Sequence, residues 1–166
     1  MSFPLVSVVI PAFNAADFIE STVLSALAQT YQNLEILVID DGSTDDTQEA
    51  LDQFAGQVRY HKRPNGGPAA ARNTGIEAAG GKYVAFLDAD DRWKPEKITK
   101  QVASLEELGN AFALSHTDVV TVCDERELLQ TEKNLQPFMP PSIAFERLFS
   151  SNFIATSSVV CRKEVF

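Results

Sequence analysis

Three short apolar runs constrain the fold of this chain more than any other feature. Each consists mainly of apolar residues and stops at a proline or an aspartate: Leu5–Ile10, Leu34–Ile39 and Tyr83–Leu87. Continuous apolar runs of this length suit strands that are covered on both faces, as in a parallel sheet. Segments with helical spacing of apolar residues lie between them. The pattern therefore predicts an α/β fold with a mainly parallel sheet flanked by helices.

The remaining elements are predicted from the periodicity of 3.6 residues for helices and 2 for strands. Helices are expected over about residues 16–29, around Leu51 and Phe54, over Ala69–Ala79, and from Pro95 to Leu108. Further strands are expected over Val58–Lys62, Phe112–Val122 and Ile154–Cys161. The segment Asp124–Pro141 is predicted as a long loop or hairpin, and Ile143–Phe149 as a short helix.

Two predicted helix starts carry residues of the types that cap helices. Asn14 or Asp17 is expected to cap the first helix, and Ser43 or Thr44 the second, because their side-chain oxygens accept hydrogen bonds from the first-turn N–H groups.

Length and charge narrow the range of functions. At 166 residues the chain is expected to form one domain over 1–166. Its formal net charge of -9 argues against nonspecific nucleic-acid binding, which needs a basic surface. The excess of acidic residues does not exclude phosphate-bearing ligands, because a bound divalent cation can make the local charge of a site positive.

The cysteines and the N-terminus indicate a cytoplasmic protein. Cys123 and Cys161 lie far apart and match no metal-binding spacing, so both are predicted to be reduced thiols; a single disulfide between them stays open. The segment Met1–Pro4 has no basic stretch, and no apolar run approaches about 18 residues. We therefore expect neither a signal peptide nor a membrane span.

Acidic and polar residues follow each apolar run, where ligands of open parallel sheets bind. The three segments are Pro11-Ala12-Phe13-Asn14, Asp40-Asp41 and Asp88-Ala89-Asp90. A lone Asp-x-Asp is more often a solvated turn, but carboxylates converging on one edge of a sheet favour a divalent-cation site. Oxygen ligands without His or Cys point to Mg²⁺ or Mn²⁺, and hence to a substrate that carries phosphates.

Phosphate-binding motifs of the common kinds are absent from the sequence. There is no G-x-x-x-x-G-K-[ST] and no G-x-G-x-x-G. Gly66-Gly67 could contact an anion through backbone N–H groups, although such a pair is more often only a turn. Arg72 is the better candidate for a contact to substrate.

Five segments together resemble the family-2 glycosyltransferases of the GT-A fold. They span roughly residues 5–98 and occur in the order expected for that family. They are Val6–Asn14, Ser25–Tyr31, Glu35–Asp45, Arg72-Asn73-Thr74-Gly75 and the acidic stretch Phe86–Trp93. The resemblance implies a Rossmann-like three-layer α/β/α sandwich that binds a nucleotide-diphospho-sugar, with UDP-sugar the expected donor.

The resemblance also implies roles for individual residues. Asp41 is expected to read the donor base, with Arg72 near base and phosphate. Pro11, Ala12 and Asn14 are expected to contact the nucleoside. Asp88 and Asp90 match the family's Asp-x-Asp around Ala89, with Asp90 the direct ligand of Mn²⁺ or Mg²⁺ and Asp88 nearer the ribose. The cation would stabilise the departing diphosphate.

The acceptor half of the reaction is not assigned to residues. Inverting transfer needs a base for the acceptor hydroxyl, and the resemblance implies that it lies beyond Phe166. The chain is therefore expected to be the N-terminal, donor-binding portion of a longer enzyme, truncated at its C-terminal end. A saccharide or lipid-linked acceptor is expected, and peripheral membrane association and a homodimer both stay open.

Two other functions stay open at this point. A sugar nucleotidyltransferase would carry a Gly-rich, basic loop after its first strand, where this chain has Pro11–Asn14. A non-enzymatic phospho-receiver domain would need an acid pair after its first strand and a Lys after its last, and neither occurs.

Overall fold

The computed structural model of the chain describes residues 3–123, 126–130 and 154–166. Within these ranges six strands form one sheet in the order β3-β2-β1-β4-β8-β5, and β6 and β7 form a separate pair. The strands are β1 (Val6–Ala12), β2 (Leu34–Asp40), β3 (Arg59–Lys62), β4 (Tyr83–Phe86), β5 (Leu114–Ser115), β6 (Val119–Cys123), β7 (Arg126–Gln130) and β8 (Val160–Arg162). The α-helices are α1 (Ile19–Leu27), α2 (Thr47–Leu51), α3 (Pro68–Ala78) and α4 (Lys97–Leu108).

The centre of the large sheet is parallel, as the apolar runs predict. β1 pairs in parallel with both β2 and β4, and β2 pairs in parallel with β3. β8 runs antiparallel to β4 and to β5 at the other edge. The three central strands therefore end at one edge of the sheet, which brings the segments after them together.

Alternate residues of β1 enter two separate cores, one on each face of the sheet. Val8 and Ile10 pack into a core that also contains residues of α1, α2 and α4. Val9 packs on the opposite face with Ala71 of α3. Helices therefore cover both faces, and the predicted three-layer α/β/α arrangement is confirmed.

The predicted helix caps are wrong, because contacts between distant loops replace local capping. α1 begins at Ile19, and no side chain caps it. Asn14 instead accepts a hydrogen bond from the Thr44 N–H at 2.9 Å, and its own N–H donates to Ser43 Oγ at 3.0 Å. The loop after β1 and the loop after β2 are thereby tied together, and α2 begins only at Thr47.

The second half of the chain departs from the predicted strands. Phe112–Val122 is not one strand, because only Leu114–Ser115 and Val119–Cys123 are extended and they belong to different sheets. The last strand is Val160–Arg162 rather than Ile154–Cys161, since a 3-10 turn occupies Thr156–Ser158.

Some predictions fall partly or wholly outside the described residues. Within Asp124–Pro141, β7 pairs with β6 as one arm of a hairpin, and residues 124–125 and 131–141 lie outside the description. The predicted helix Ile143–Phe149 also lies outside it.

Two further predictions concern the thiols and the membrane. Cys161 is a buried free thiol whose pKa burial raises to about 12, whereas the side chain of Cys123 lies outside the described part. Over the described ranges, none of the helices combines the length and apolar character needed to span a bilayer.

Candidate functional site

A cleft of about 420 Å³ lies where β1, β2 and β4 end. All eight residues predicted to bind the donor or metal line this first cleft: Pro11, Ala12, Asn14, Asp41, Arg72, Asp88, Ala89 and Asp90. Asp40 does not line it. Its buried carboxylate accepts hydrogen bonds from the Ser43 N–H and the Tyr60 hydroxyl beneath the rim, so only the second acid of Asp40-Asp41 reaches the cleft.

Arg72 and Asp88 face each other across the cleft. Arg72 Nη2 donates to Asp88 Oδ1 at 2.5 Å, and this ion pair joins α3 to the segment after β4. Arg72 Nε is buried and has no hydrogen-bond partner among the described residues. A buried donor without an acceptor costs free energy, so the position suits an acceptor oxygen supplied by a ligand.

The segment Asp88–Trp93 is held by contacts from two distant parts of the chain, α1 and the turn at Ser157. The Asp88 N–H donates to Ser157 Oγ at 2.9 Å, and Trp93 Nε1 donates to the Ser157 carbonyl at 2.8 Å. The Thr22 hydroxyl lies 2.7 Å from the Ala89 carbonyl and 2.9 Å from that of Asp91. The acidic turn is therefore fixed by the protein rather than being a solvated loop.

No sequence pattern points to these supporting residues. Ser157 follows the predicted site by more than sixty positions, and Thr22 lies on a helix face that periodicity assigns simply to the core. Both are small hydroxyl residues, a type that carries no motif on its own.

Asp41 is almost fully buried and holds the loop before α3. Its carboxylate accepts hydrogen bonds from Arg63 Nη1 at 2.5 Å, from the Gly66 N–H at 3.1 Å and from the Gly67 N–H at 2.7 Å. The Gly66-Gly67 pair therefore forms a turn around a carboxylate of the protein itself. Gly67 has a φ of 87°, a backbone conformation that glycine adopts without strain.

Two aromatic rings at the cleft were not predicted as site residues. Phe13 is 52% exposed and Phe18 is 53% exposed, and both line the cleft. Exposed rings are costly to leave in water, and their faces suit stacking against a planar base. The only sequence signal was the position of Phe13 within Pro11–Asn14, directly after β1.

The carboxylates fit a hard divalent cation that also takes ligands from a substrate. Within the described ranges, no cluster of three or more His, Cys, Asp or Glu residues could hold a metal. Asp88 is paired with Arg72, whereas Asp90 is exposed, and no described group forms a hydrogen bond or ion pair with its carboxylate. Mg²⁺ is usually bound by only one or two protein carboxylates together with substrate phosphates. The carboxylate oxygens of Asp88 and Asp90 therefore fit such a cation.

Comparison with known proteins identifies the family. Residues 7–166 match the family described as Glycosyl transferase family 2. The chain is 36% identical over 167 residues to the putative teichuronic acid biosynthesis glycosyltransferase TuaG of Bacillus subtilis, covering 97% of this chain and 63% of that protein. It is 44% identical over 104 residues to WfaP of Escherichia coli, a UDP-Glc:alpha-D-GlcNAc-diphosphoundecaprenol beta-1,3-glucosyltransferase, covering 61% of this chain and 41% of WfaP. The chain thus spans less than two thirds of the length of these relatives.

Solved structures share the fold. The S. aureus TarS 1-349 complex with UDP superimposes with a TM-score of 0.77 at 21% identity, over 97% of this chain and 47% of the TarS 1-349 chain. The mannosyltransferase PcManGT of Pyrobaculum calidifontis, in complex with GDP-Man and Mn²⁺, gives a TM-score of 0.63 at 26% identity, over 72% of this chain and 37% of that one. The sheet order, the two-sided helical cover and the family match agree: the chain belongs to glycosyl transferase family 2 and has the GT-A fold.

Proposed function

We propose that the first cleft binds a nucleotide-diphospho-sugar, with UDP-sugar the first candidate. The enzyme to which this chain belongs would transfer the sugar, with inversion, to a saccharide or lipid-linked acceptor. The observation that carries the proposal is the convergence in one cleft of Asp41, Arg72, Asp88 and Asp90, which come from three different connections of the sheet.

The nucleoside end is proposed to lie between the loop after β1 and the loop before α3. Phe13 and Phe18 offer ring faces for the base, and Pro11, Ala12 and Asn14 line the same wall. Asp41 already engages three N–H donors, so its contribution to base recognition includes fixing Gly66 and Gly67 at the edge of the cleft.

The diphosphate end is proposed to lie at Arg72, Asp88 and Asp90. Arg72 supplies positive charge and a buried N–H without a partner, both of which suit a phosphate oxygen. Asp90 and Asp88 are the proposed ligands of Mn²⁺ or Mg²⁺, with Asp88 oriented by Arg72. The cation, when bound, supplies the positive charge that stabilises the leaving diphosphate.

Relatives support the donor and the acceptor classes. TarS is solved with UDP, PcManGT is solved with GDP-Man and Mn²⁺, and the name of WfaP gives UDP-Glc as donor and a lipid-linked diphosphate sugar as acceptor. The base that inversion requires is proposed to lie beyond Phe166, and the site of action is proposed to be cytoplasmic.

Calorimetry with UDP tests the proposal on this chain directly. We expect UDP to bind at least about tenfold more tightly with Mn²⁺ than without it, and acetyl phosphate to show no binding. UDP binding that ignores the metal would contradict the diphosphate assignment, and binding of acetyl phosphate alone would favour a phospho-receiver. Tight binding of UTP together with a sugar 1-phosphate, at the expense of UDP, would favour a sugar nucleotidyltransferase.

A further inference from the structure

A second cleft, of about 450 Å³, begins where the first ends along the acidic segment. Asp88, Ala89 and Asp90 line the first cleft, whereas Asp91, Arg92 and Trp93 line the second. Its other walls are the start of α4, the start of β6 and the turn at Ser157-Ser158. The two clefts are therefore neighbours that share one rigid segment.

Lys97 is the most unusual group in this second cleft. It is a lysine only 9% exposed, and its ammonium lies 4.3 Å from the centre of the Trp93 ring. Its Nζ donates to Gln101 Oε1 at 2.7 Å, and no ion pair with a carboxylate forms within the described ranges. An ammonium has three N–H donors, so at least one remains to be satisfied after the contacts to Gln101 and Trp93.

The protein holds Lys97 in place through Gln101. Gln101 Nε2 donates to the carbonyls of Ser115 and Ser158, each at 3.0 Å, which leaves its amide oxygen to accept from Lys97. The ammonium is thus oriented by a buried frame that joins α4 to β5 and to the turn before β8. Such a frame is a preorganised position for a positive charge rather than an accident of a flexible side chain.

Stability alone does not explain a lysine here. Burying an ammonium without a counter-charge costs free energy, and burial lowers its pKa to about 7. A methionine would fill the same space without burying a charge, at the smaller cost of leaving Gln101 Oε1 without its donor. A buried ammonium that lacks a counter-charge suits an anionic ligand, which would supply that charge.

The surroundings are basic for so acidic a chain. The second cleft is lined by four basic side chains and three acidic ones, in a protein of net charge -9. The basic residues are Arg92, Lys94, Lys97 and Lys100. The acidic residues are Asp91, Glu96 and Asp118.

We propose that the second cleft is the acceptor site and that Lys97 binds the diphosphate of a lipid-linked acceptor. This inference rests on the proposed donor function. The donor diphosphate is accounted for in the first cleft by Arg72, Asp88 and Asp90, so an anion at Lys97 belongs to the other substrate. An acceptor held there lies beside the segment Asp88–Trp93 that the donor also contacts.

Calorimetry with butyl diphosphate tests the site while UDP and Mn²⁺ are held saturating and equal for every variant. We expect Lys97→Met to lower the affinity for butyl diphosphate at least about tenfold without changing the affinity for UDP. We also expect its melting temperature to be no lower than that of the unsubstituted chain. Lys82→Met is the matched control, since it removes one positive charge outside both clefts, and it is expected to leave both affinities unchanged.

The outcomes separate this inference from the donor proposal. Unchanged binding of butyl diphosphate by Lys97→Met, or no binding by the unsubstituted chain, overturns the role of Lys97. A clear fall in melting temperature for Lys97→Met with unchanged butyl diphosphate affinity assigns the lysine to the fold instead. Inorganic phosphate binding as tightly as butyl diphosphate overturns the acceptor as the source of the anion. Lys97-dependent binding of the probe by a chain that does not bind UDP overturns the donor proposal and keeps the anion site.

Discussion

Arg72 Nη2 and Asp88 Oδ1 lie 2.5 Å apart and join the first turns of α3 to the end of β4. The pair balances the charge of Asp88 and leaves the exposed Asp90 as the carboxylate that no described group engages. The two acids of one Asp-x-Asp are therefore in different environments, which supports different roles for them.

Arg72→Met is expected to lower the affinity for UDP at least about tenfold and to change the affinity for uridine little. The guanidinium carries the unpartnered buried N–H that we assign to phosphate, and methionine keeps much of its apolar stem. Parallel titrations with UDP and uridine measure the difference. Arg59→Met, at an exposed arginine paired with Glu35, is the control. An equal loss for both ligands would show that Arg72 acts on the nucleoside or on the fold.

Asp41→Asn is expected to lower both stability and nucleoside affinity. The substitution places an NH₂ group or an uncharged oxygen against three N–H donors, and losing such buried hydrogen bonds costs about 1–3 kcal/mol. Urea unfolding and uridine titration measure the two effects. Asp52→Asn, at an exposed acid, is expected to change neither. Full uridine affinity in a destabilised Asp41→Asn chain would contradict a role of this loop in base recognition.

Gly75→Ala is expected to lower the free energy of unfolding by about 1–3 kcal/mol, because a Cβ at this position would lie 2.3 Å from Val9 Cγ1. Alanine has a higher helix propensity than glycine by about 1 kcal/mol. If α3 packed loosely against β1, Gly75→Ala would therefore raise the free energy of unfolding instead of lowering it. Urea unfolding decides between them. The double variant with Val9→Ala should recover part of the loss, and strict additivity would contradict the contact.

The Lys97 ammonium predicts a rise in stability with pH. Its pKa is about 7 in the folded chain, against an ordinary value of 10.5, so the unfolded state binds more protons in between. The free energy of unfolding should therefore rise above pH 7 by up to about 1.4 kcal/mol per pH unit.

One thiol opposes this trend at higher pH. Burial raises the pKa of Cys161 to about 12 from 9.0, so the unfolded thiol ionises first and stability falls toward pH 9 and above. The contribution of Cys161 is the same in the unsubstituted chain and in Lys97→Met. It therefore cancels when their free energies of unfolding are subtracted at each pH between 7 and 8.5. A difference that does not change with pH would contradict a buried, charged Lys97.

The sequence predicted what short-range patterns determine. β1, β2 and β4 follow directly from apolar runs, and residues that end parallel strands must meet at one edge, so Asp41 and Asp90 could be placed in one cleft. The caps of α1 and α2 could not be predicted, because Asn14 bonds to Ser43 and Thr44 across two loops rather than capping α1.

The support of the site was equally hidden from the sequence. Ser157 lies in a turn where the sequence predicted a strand. Its hydroxyl accepts a hydrogen bond from the Asp88 N–H, and its carbonyl accepts one from Trp93 Nε1. The apolar periodicity places Lys97 only within the predicted helix from Pro95 to Leu108. Its ammonium is oriented by Gln101, whose amide is held by the carbonyls of Ser115 and Ser158, and periodicity does not encode such long-range contacts.

Calorimetry of Asp90→Asn and Asp91→Asn, comparing UDP affinity with and without Mn²⁺, tests whether the first cleft holds the metal and the diphosphate. These neighbouring exposed acids differ in that Asp90 lines the first cleft and Asp91 the second. We predict that Asp90→Asn loses the metal-dependent part of UDP binding with stability unchanged within about 0.5 kcal/mol, while Asp91→Asn binds as the unsubstituted chain does. Metal-dependent UDP binding that survives Asp90→Asn would contradict the assignment of the first cleft as the metal and diphosphate site.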